Sequence, residues 1–225
     1  MRLTRMLKKM NWKVYFMELI IVILGISIAY QVNIYNESRV NQQLEMTAIK
    51  NLKKENEINL AEFKSLEAYR ERITTDSRQL LRLLTAKEPI SKDTAARYVF
   101  RLVQTSTPDL QQEATGFYLN SNYGNQNIEL KNNLLTLKTY LQELLDLSKG
   151  YQDRKMNDFM TFLRTAVDFP SREVVNISTI RSLEFKNIIW NLYSDEIELN
   201  RLYKQAKGQL EKVQEQVEAI LEKEA

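Results

Sequence analysis

The chain has 225 residues, of which 44% are hydrophobic and 27% charged, which is enough for one membrane anchor and one domain with its own core. Because the sequence contains no Cys and no His, thiol chemistry, disulfide bonds, Cys/His metal sites and histidine-based catalysis are excluded. With 5 Gly and 3 Pro, a barrel or sandwich of many tight turns is also excluded, and we expect an all-α fold without a cofactor.

The net charge of +3 is concentrated at the N-terminus. Basic residues cluster before the first apolar run, and the chain after residue 37 is electrically balanced. The cluster consists of Arg2, Arg5, Lys8, Lys9 and Lys13. A balanced remainder offers no extended basic surface, so we expect no nucleic-acid partner.

The apolar run YFMELIIVILGISIAYQVNIYNE, residues 15–37, follows this basic end. We predict a transmembrane helix over residues 14–35, because about 20 residues at ~1.5 Å each match the roughly 30 Å hydrocarbon core and make lipid a partner. Aromatic residues flank both ends, namely Trp12, Tyr15, Phe16, Tyr30 and Tyr35. The positive-inside rule makes residues 1–13 a cytoplasmic basic tail and places the rest of the chain across the membrane.

Two other interpretations of this run stay open. A cleaved signal peptide also begins with basic residues, and Ser27-Ile28-Ala29 loosely resembles a cleavage site. The run continues past Ala29 without Pro or Gly, however, which favours an uncleaved anchor. A buried helix of a soluble protein would need comparable apolar surface elsewhere in the sequence to cover it, and no other segment offers as much.

One face of the predicted membrane helix carries small residues and an acid. Glu18, Val22, Gly25 and Ala29 follow the spacing that places residues on a single helical face. The pair Gly25-x-x-x-Ala29 lets a second helix approach closely in lipid, so we predict contact with another membrane protein or with a second copy of the chain. Three roles for Glu18 stay open: a snorkelling acid, a hydrogen bond to the partner helix, or an ion relay.

The anchor also resembles the signature of a protein family. The residues that carry the resemblance are Glu18-Leu19-Ile20, Gly25-Ile26, Ile28-Ala29, Gln31, Asn33 and Asn36-Glu37. They are similar to the pattern G-E-I, aliphatics, G-I-x-I-A-L-Q-x-N-x-W-N-E of a large, uncharacterised family of single-pass bacterial membrane proteins. Met17 and Tyr35 depart from this pattern, where the family tends to have Gly and Trp.

The resemblance extends beyond the anchor, from about Tyr15 to the C-terminus. Residues 119–130 occupy the place of a family segment similar to L-K-S-S-G-x-L-N-L-I. The resemblance implies an uncleaved anchor in the bacterial inner membrane and a helical domain on the periplasmic side. It implies no reaction.

Past the anchor, the sequence predicts a long stalk helix over residues 36–88 and a helical bundle over residues 89–225. The stalk contains no Pro or Gly, and its apolar residues recur at spacings of three and four. Pro89 ends this helix. Ser91 is the predicted N-cap of the next helix, which we expect to end near Thr105.

Residues 106–125 are rich in turn-forming residues, and we predict an ordered loop or short helical turns there. A helix over residues 127–149 follows from one apolar stripe, namely Leu130, Leu134, Leu137, Leu141 and Leu144. We expect a break at Gly150, another helix over residues 151–168, and then a polar linker to about Ser178.

The C-terminal helix carries a heptad stripe that Glu196 interrupts. The stripe consists of Leu192, Leu199, Tyr203, Ala206, Leu210, Val213, Val217 and Ile220. Two long helices favour an antiparallel pair within the chain, with residues 91–168 packed at the end far from the membrane. Self-association into a coiled coil is the alternative, because the stripe looks the same whichever helix covers it.

Residues 118–127 have the most unusual composition of the exported part, with clustered Asn and Tyr. This composition suggests a protein-interaction loop presented by Tyr118, Asn120, Asn122 and Tyr123. The alternative is that the Asn and Gly residues simply form turns and helix caps.

No phosphate-binding loop, metal-ligating group or activated nucleophile is readable in the sequence, so we do not expect an enzyme. The acidic clusters are expected to be solvated on helical faces, namely Glu55 and Glu57, and Asp195, Glu196 and Glu198. We expect an interaction or assembly subunit, a scaffold held at the membrane. The alternatives are the small subunit of an ion-driven envelope motor that uses Glu18, and a ligand-sensing helical bundle.

Overall fold

The computed structural model describes residues 12–121 and 127–223. The chain falls into two compact units, Met1–Thr47 and Ala48–Ala225. Of the predicted cytoplasmic tail, residues 1–13, all but the last two lie outside the described residues.

The described residues are almost entirely helical, which confirms the all-α prediction. The helices are α1 Trp12–Thr85, α2 Lys92–Leu102, α3 Glu113–Asn120, α4 Ile128–Arg154, α5 Thr161–Leu163, α6 Ile177–Ile180 and α7 Leu183–Lys223. A π-helical turn, Lys155–Met160, joins α4 to α5. Two short strands, β1 Val167–Asp168 and β2 Glu173–Val174, form an antiparallel hairpin.

In the first unit, helix α1 is apolar and uncovered. Every residue from Trp12 to Leu44 is exposed. By length and composition, α1 is a candidate to span a membrane, and it is the one such candidate among the described residues. A helix that is hydrophobic on all sides requires an apolar environment around it, whether protein or lipid.

In the second unit, the C-terminal half of α1 pairs with α7. Asn56 Nδ2 donates to the Leu210 carbonyl at 2.8 Å, and Asn200 Nδ2 donates to the Thr74 hydroxyl at 2.6 Å. Because the contacts move backwards along α7 as they move forwards along α1, the two helices are antiparallel. The antiparallel pair favoured by the sequence is therefore confirmed.

Helix α4 also runs antiparallel to α7. Gln209 Nε2 donates to the Asn133 carbonyl at 3.0 Å, and Arg154 Nε donates to Asp195 Oδ2 at 2.7 Å. Helix α4 therefore lies alongside α7 and contributes a third layer to the core, whereas the sequence suggested that residues 91–168 pack at one end of the pair.

Each of the three long helices contributes an apolar stripe to the core. The predicted leucine stripe of α4 is entirely buried. Helix α7 buries all of its predicted stripe except Ile220, which is half-buried. Helix α1 contributes Leu52, Phe63, Leu66, Ile73, Leu80 and Leu84. Residues from Ala48 onward thus belong to the second unit, so the predicted stalk of residues 36–88 extends into both units.

The expected break at Gly150 does not occur, because α4 continues to Arg154 and leads into the π-helical turn. A glycine inside a helix costs about 1 kcal/mol relative to alanine. Ser148 and Tyr151 on either side of it are buried in the core. Packing of this face outweighs the local preference of one glycine.

The β-hairpin begins at Val167, so the helix predicted over residues 151–168 ends too late, and the second strand lies in the predicted polar linker. Val167 and Val174 are paired across the two strands, and both side chains are buried. Arg172, at the end of the four-residue loop, has φ of 57°, the left-handed conformation that usually requires glycine or asparagine. Each strand has only two residues, and one buried valine in each is too short a pattern to predict a strand.

Ser91 is the N-cap of α2 as predicted, with its hydroxyl accepting from the Thr94 amide at 3.2 Å. Helix α3, inside the predicted loop region, is capped differently. Gln112 precedes it and makes no side-chain cap. Instead, the Glu55 carboxylate from α1 accepts from the backbone amides of Ala114 at 2.6 Å and Thr115 at 3.0 Å.

This arrangement corrects one prediction. Glu55 was expected to be solvated, but it is 6% exposed and supplies the missing cap of α3. A carboxylate suits this position, because the free amides at a helix N-terminus attract negative charge. Its neighbour Glu57 is exposed, as expected.

Candidate functional site

The predicted membrane face lies on the uncovered part of α1. Glu18, Val22, Gly25 and Ala29 are all exposed. A side chain added at Gly25 would meet no atom of the chain within 4 Å. Within the described part of the chain, Glu18 makes no hydrogen bond or ion pair. The prediction that this face contacts another helix therefore stays a prediction.

The predicted interaction loop is divided by the structure. Tyr118 lies on α3 with 0% of its surface exposed, so its ring serves the core and not a surface. Asn120 ends α3 and is exposed. Asn122 and Tyr123 lie outside the described residues. The loop as an interaction site stays a prediction for the three residues other than Tyr118.

The most unusual feature of the second unit is an ion pair in its core. Arg70 Nη2 of α1 lies 2.6 Å from Glu196 Oε2 of α7, and the two side chains are 5% and 0% exposed. Glu196 was expected to be solvated, and this expectation is wrong because Glu196 occupies a core position of the α7 stripe. We call Arg70, Glu196, Tyr151 and Lys155 the buried cluster.

Tyr151 lies near the end of α4, and Lys155 follows directly after that helix. Lys155 is the first residue of the π-helical turn, and it is 1% exposed. Its ammonium group donates to the Gln104 carbonyl and lies 3.4 Å from the Tyr151 hydroxyl. The π-helical turn is relevant because such insertions are frequent at functional sites.

Burial shifts the pKa values of this cluster. Burial raises the pKa of Glu196, and the nearby charges of Arg70 and Lys155 oppose that shift only in part. Burial also lowers the pKa of Lys155 from 10.5 to about 8, although Glu196 raises it. Burial raises the pKa of Tyr151 as well, and the Glu196 charge adds to this effect. Glu196, Lys155 and Tyr151 thus each favour the neutral form more than they would in water.

The hydrogen bonding of the cluster is incomplete. The Arg70 Nε and Nη2 atoms, both Glu196 oxygens and the Tyr203 hydroxyl are buried without a hydrogen-bond partner. Arg70 and Glu196 thus form a close ion pair that does not meet the geometry of a hydrogen bond. The Arg70 guanidinium also lies 5.2 Å from the centre of the Tyr203 ring, within range of a cation–π interaction.

Arg70 and Tyr203 also line a surface groove between α1 and α7, which we call the basic groove. It has a volume of about 500 Å³. Two aromatic rings and four basic side chains line it, those of Phe63, Tyr203, Arg70, Arg78, Lys204 and Lys207. The acids Glu67 and Glu71 line it as well, which leaves an excess of positive charge.

The basic groove has the properties of a binding site for a small molecule. Among the described residues, no three His, Cys, Asp or Glu side chains are grouped closely enough to hold a metal ion. A pocket with aromatic walls, a few polar groups and a volume within the usual range for ligand sites is suited to binding a small molecule.

Sequence reasoning missed the buried cluster, although a signal was present. Glu196 interrupts the stripe of α7, Arg70 falls at the spacing of Leu66 and Ile73 on α1, and Lys155 continues the spacing of the α4 leucines. Charges of opposite sign on separate apolar stripes indicate that the stripes meet.

Comparison with known proteins gives no further assignment. No protein-family model, curated protein or solved structure matches the chain. The resemblance to an uncharacterised family of single-pass bacterial membrane proteins therefore stays a prediction.

Proposed function

We propose that this protein is a single-pass protein of the bacterial inner membrane, with a cytoplasmic N-terminus and a periplasmic helical domain. In this proposal it is an interaction or assembly subunit and not an enzyme. Residues 14–35 hold it in the membrane, and the second unit presents a protein-binding surface.

One observation carries the proposal, namely the uncovered apolar surface of α1. The large apolar side chains between Trp12 and Tyr35 are all exposed, from 39% for Ile20 to 70% for Trp12. Soluble proteins rarely expose a contiguous apolar surface of this length, because its contact with water is unfavourable. Lipid would cover the surface on all sides.

The same surface supports a helix partner. Glu18 has no partner within the described chain, and the space around Gly25 is open. A second helix that approaches at Gly25 and Ala29 would pack closely and could supply a hydrogen bond to Glu18.

The topology is tested by single cysteines, since the natural chain has none. Thr4→Cys precedes the apolar run, and Ser171→Cys lies at the exposed tip of the hairpin. In cells with a permeabilised outer membrane, an impermeant maleimide should label the Ser171→Cys chain but should label the Thr4→Cys chain only after lysis. Labelling of both chains before lysis, or a mature protein that begins near Tyr30, would contradict the proposal.

The helix contact is tested at Gly25. Gly25→Leu fills an open space and therefore has no cost within the chain. We expect it to reduce recovery of a membrane partner, or of a second differently tagged copy, after mild detergent extraction. Ile26→Leu, one residue along and off the face, is the matched control. If both variants recover the same proteins as the natural chain, this face is not the contact.

A further inference from the structure

The basic groove has the properties of a ligand site that faces solvent. Its volume of about 500 Å³ is within the range of pockets that hold small molecules. The Phe63 and Tyr203 rings lie 5.0 Å apart at its wall, tilted by 56°, and provide apolar surface. The groove therefore combines an aromatic wall with charged side chains.

The charges of the groove favour an anion. Glu67 lies 3.6 Å from Lys207, and this pair is neutral overall. Lys204 makes no ion pair with any described residue, and Arg78 donates to the Tyr193 hydroxyl at 3.1 Å without an acidic partner. Two cations are thus unmatched, against one remaining acid of the lining, Glu71.

The polar atoms that lack hydrogen-bond partners also favour a ligand that carries an acceptor. Tyr203 is 7% exposed and Arg70 is 4% exposed, and both have donor groups without a hydrogen bond. Arg70 lies beside the Glu196 carboxylate, whose oxygens are also without a hydrogen bond, so among the described residues the Tyr203 hydroxyl is the donor of the lining that is left without a counterpart. A buried donor without an acceptor is unfavourable.

We propose that the basic groove binds a small organic acid, with its carboxylate on Arg78 and Lys204 and its apolar body against Phe63 and Tyr203. Hydrogen bonds from charged donors to a carboxylate are roughly twice as strong as neutral ones. The site goes beyond the proposed assembly role and does not depend on it, since every residue involved belongs to the second unit.

The site is tested on the full-length chain in detergent micelles by its thermal unfolding. The probes are phenylacetate, hexanoate and indole-3-acetate, each compared with its neutral amide at constant ionic strength. Binding to the folded state raises the unfolding temperature, and we expect at least one acid to give a saturable rise of about 2 °C or more. The amides should give none.

Three variants separate specific binding from a general effect of salt or detergent. Lys204→Glu reverses a charge in the groove and should abolish the rise. Lys212→Glu makes the same change on an exposed part of α7 outside the groove and should preserve it. Tyr203→Phe removes only the hydroxyl, which tests the unpaired donor in a chain whose core packing is preserved, and should reduce the rise.

Several outcomes would overturn the site. They are the absence of a rise with all three acids, an equal rise with the amides or with sodium phosphate, and a rise that persists in Lys204→Glu. If Lys204→Glu fails to fold, Lys204→Gln decides, because it removes the same charge without reversing it, and an unchanged rise in that variant would show that the groove is not where the acid binds.

Discussion

The two units of this protein carry the same kind of feature, an acid on an otherwise apolar helical stripe, in opposite environments. Glu18 lies on an exposed surface with no partner in the described chain. Glu196 lies in a protein core, 2.6 Å from Arg70. In the second unit the chain itself supplies the counter-charge. In the first, lipid headgroups or another helix would have to do so.

The comparison also concerns the apolar residues around each acid. Around Glu18 the helix is apolar on all sides, so no single face of it is suited to a protein core. Around Glu196 the apolar residues form one stripe, and α1 and α4 cover it. The width of the apolar surface thus distinguishes the helix that is a candidate to span a membrane from the helix that packs in a protein core.

The largest effect is expected from breaking the buried pair. Glu196→Leu leaves the Arg70 charge in the core without a counter-charge, so the free energy of unfolding should fall by about 3 to 5 kcal/mol. Urea unfolding of the full chain in micelles, followed by circular dichroism, measures this fall.

A double variant and an exposed neighbour sharpen this test. Adding Arg70→Met to Glu196→Leu should restore most of the lost stability, because a well-packed apolar pair often replaces a buried ion pair without loss. Glu198→Leu, on the exposed side of α7, should change the stability by roughly 0.5 kcal/mol or less. If Glu196→Leu is itself neutral, Arg70 has another way to satisfy its charge.

The next largest effect is expected at the cap of α3. Glu55→Gln removes the negative charge that accepts from the Ala114 and Thr115 amides and from the Thr115 hydroxyl. We expect a loss of about 2 kcal/mol, because these bonds are charge-assisted and the carboxylate favours the helix N-terminus. Glu57→Gln is the matched control, and an equal effect of both substitutions on urea unfolding would contradict the role of Glu55.

A smaller effect is expected from pH through Lys155. The pKa of Lys155 is about 8 in the folded chain and 10.5 when the side chain is not buried, as in the unfolded chain. Between these two pH values the unfolded chain therefore binds more protons than the folded chain. Stability contributed by this group therefore rises with pH over that window. The buried charge costs stability below pH 8, and the cost is relieved as the ammonium loses its proton.

Lys155→Met should remove this dependence. The stability difference between the natural chain and the variant should change by about 1 to 2 kcal/mol between pH 8 and 9.5, in favour of the natural chain. The measurement stops at pH 9.5, below the pH of about 10 at which tyrosines of an unfolded chain ionise. A constant difference would show that Lys155 stays charged throughout, whereas the exposed Lys204→Met should give a constant difference in either case.

The smallest effect is expected in the hairpin. Arg172→Gly should raise the stability by up to about 1 kcal/mol, because glycine adopts a positive φ without the strain that a Cβ atom causes. Arg172→Ala keeps the Cβ atom and should give no gain. A gain with alanine, seen in the unfolding temperature, would show that the arginine side chain and not the backbone is unfavourable.

Much of the second unit could be predicted because its signals are local. The leucines of α4, the heptad of α7 and the cap at Ser91 are periodicities or single contacts within one element, and the structure confirms them. Glu55 and Glu196 could not be placed this way. Whether an acid on a helix is solvated depends on the element that packs against it, and that element is distant in the sequence.

The sequence by itself determined that the chain is helical and that an apolar helix lies near its N-terminus. Both conclusions follow from composition and from the spacing of apolar residues along one helix, and a short stretch of sequence contains all of that information. Only the tertiary structure decided that Arg70, Glu196 and Lys155 meet in one core and that α1 and α7 form a groove with unmatched cations. These are contacts between residues more than 40 positions apart, and their energies depend on burial, which arises only when the helices pack.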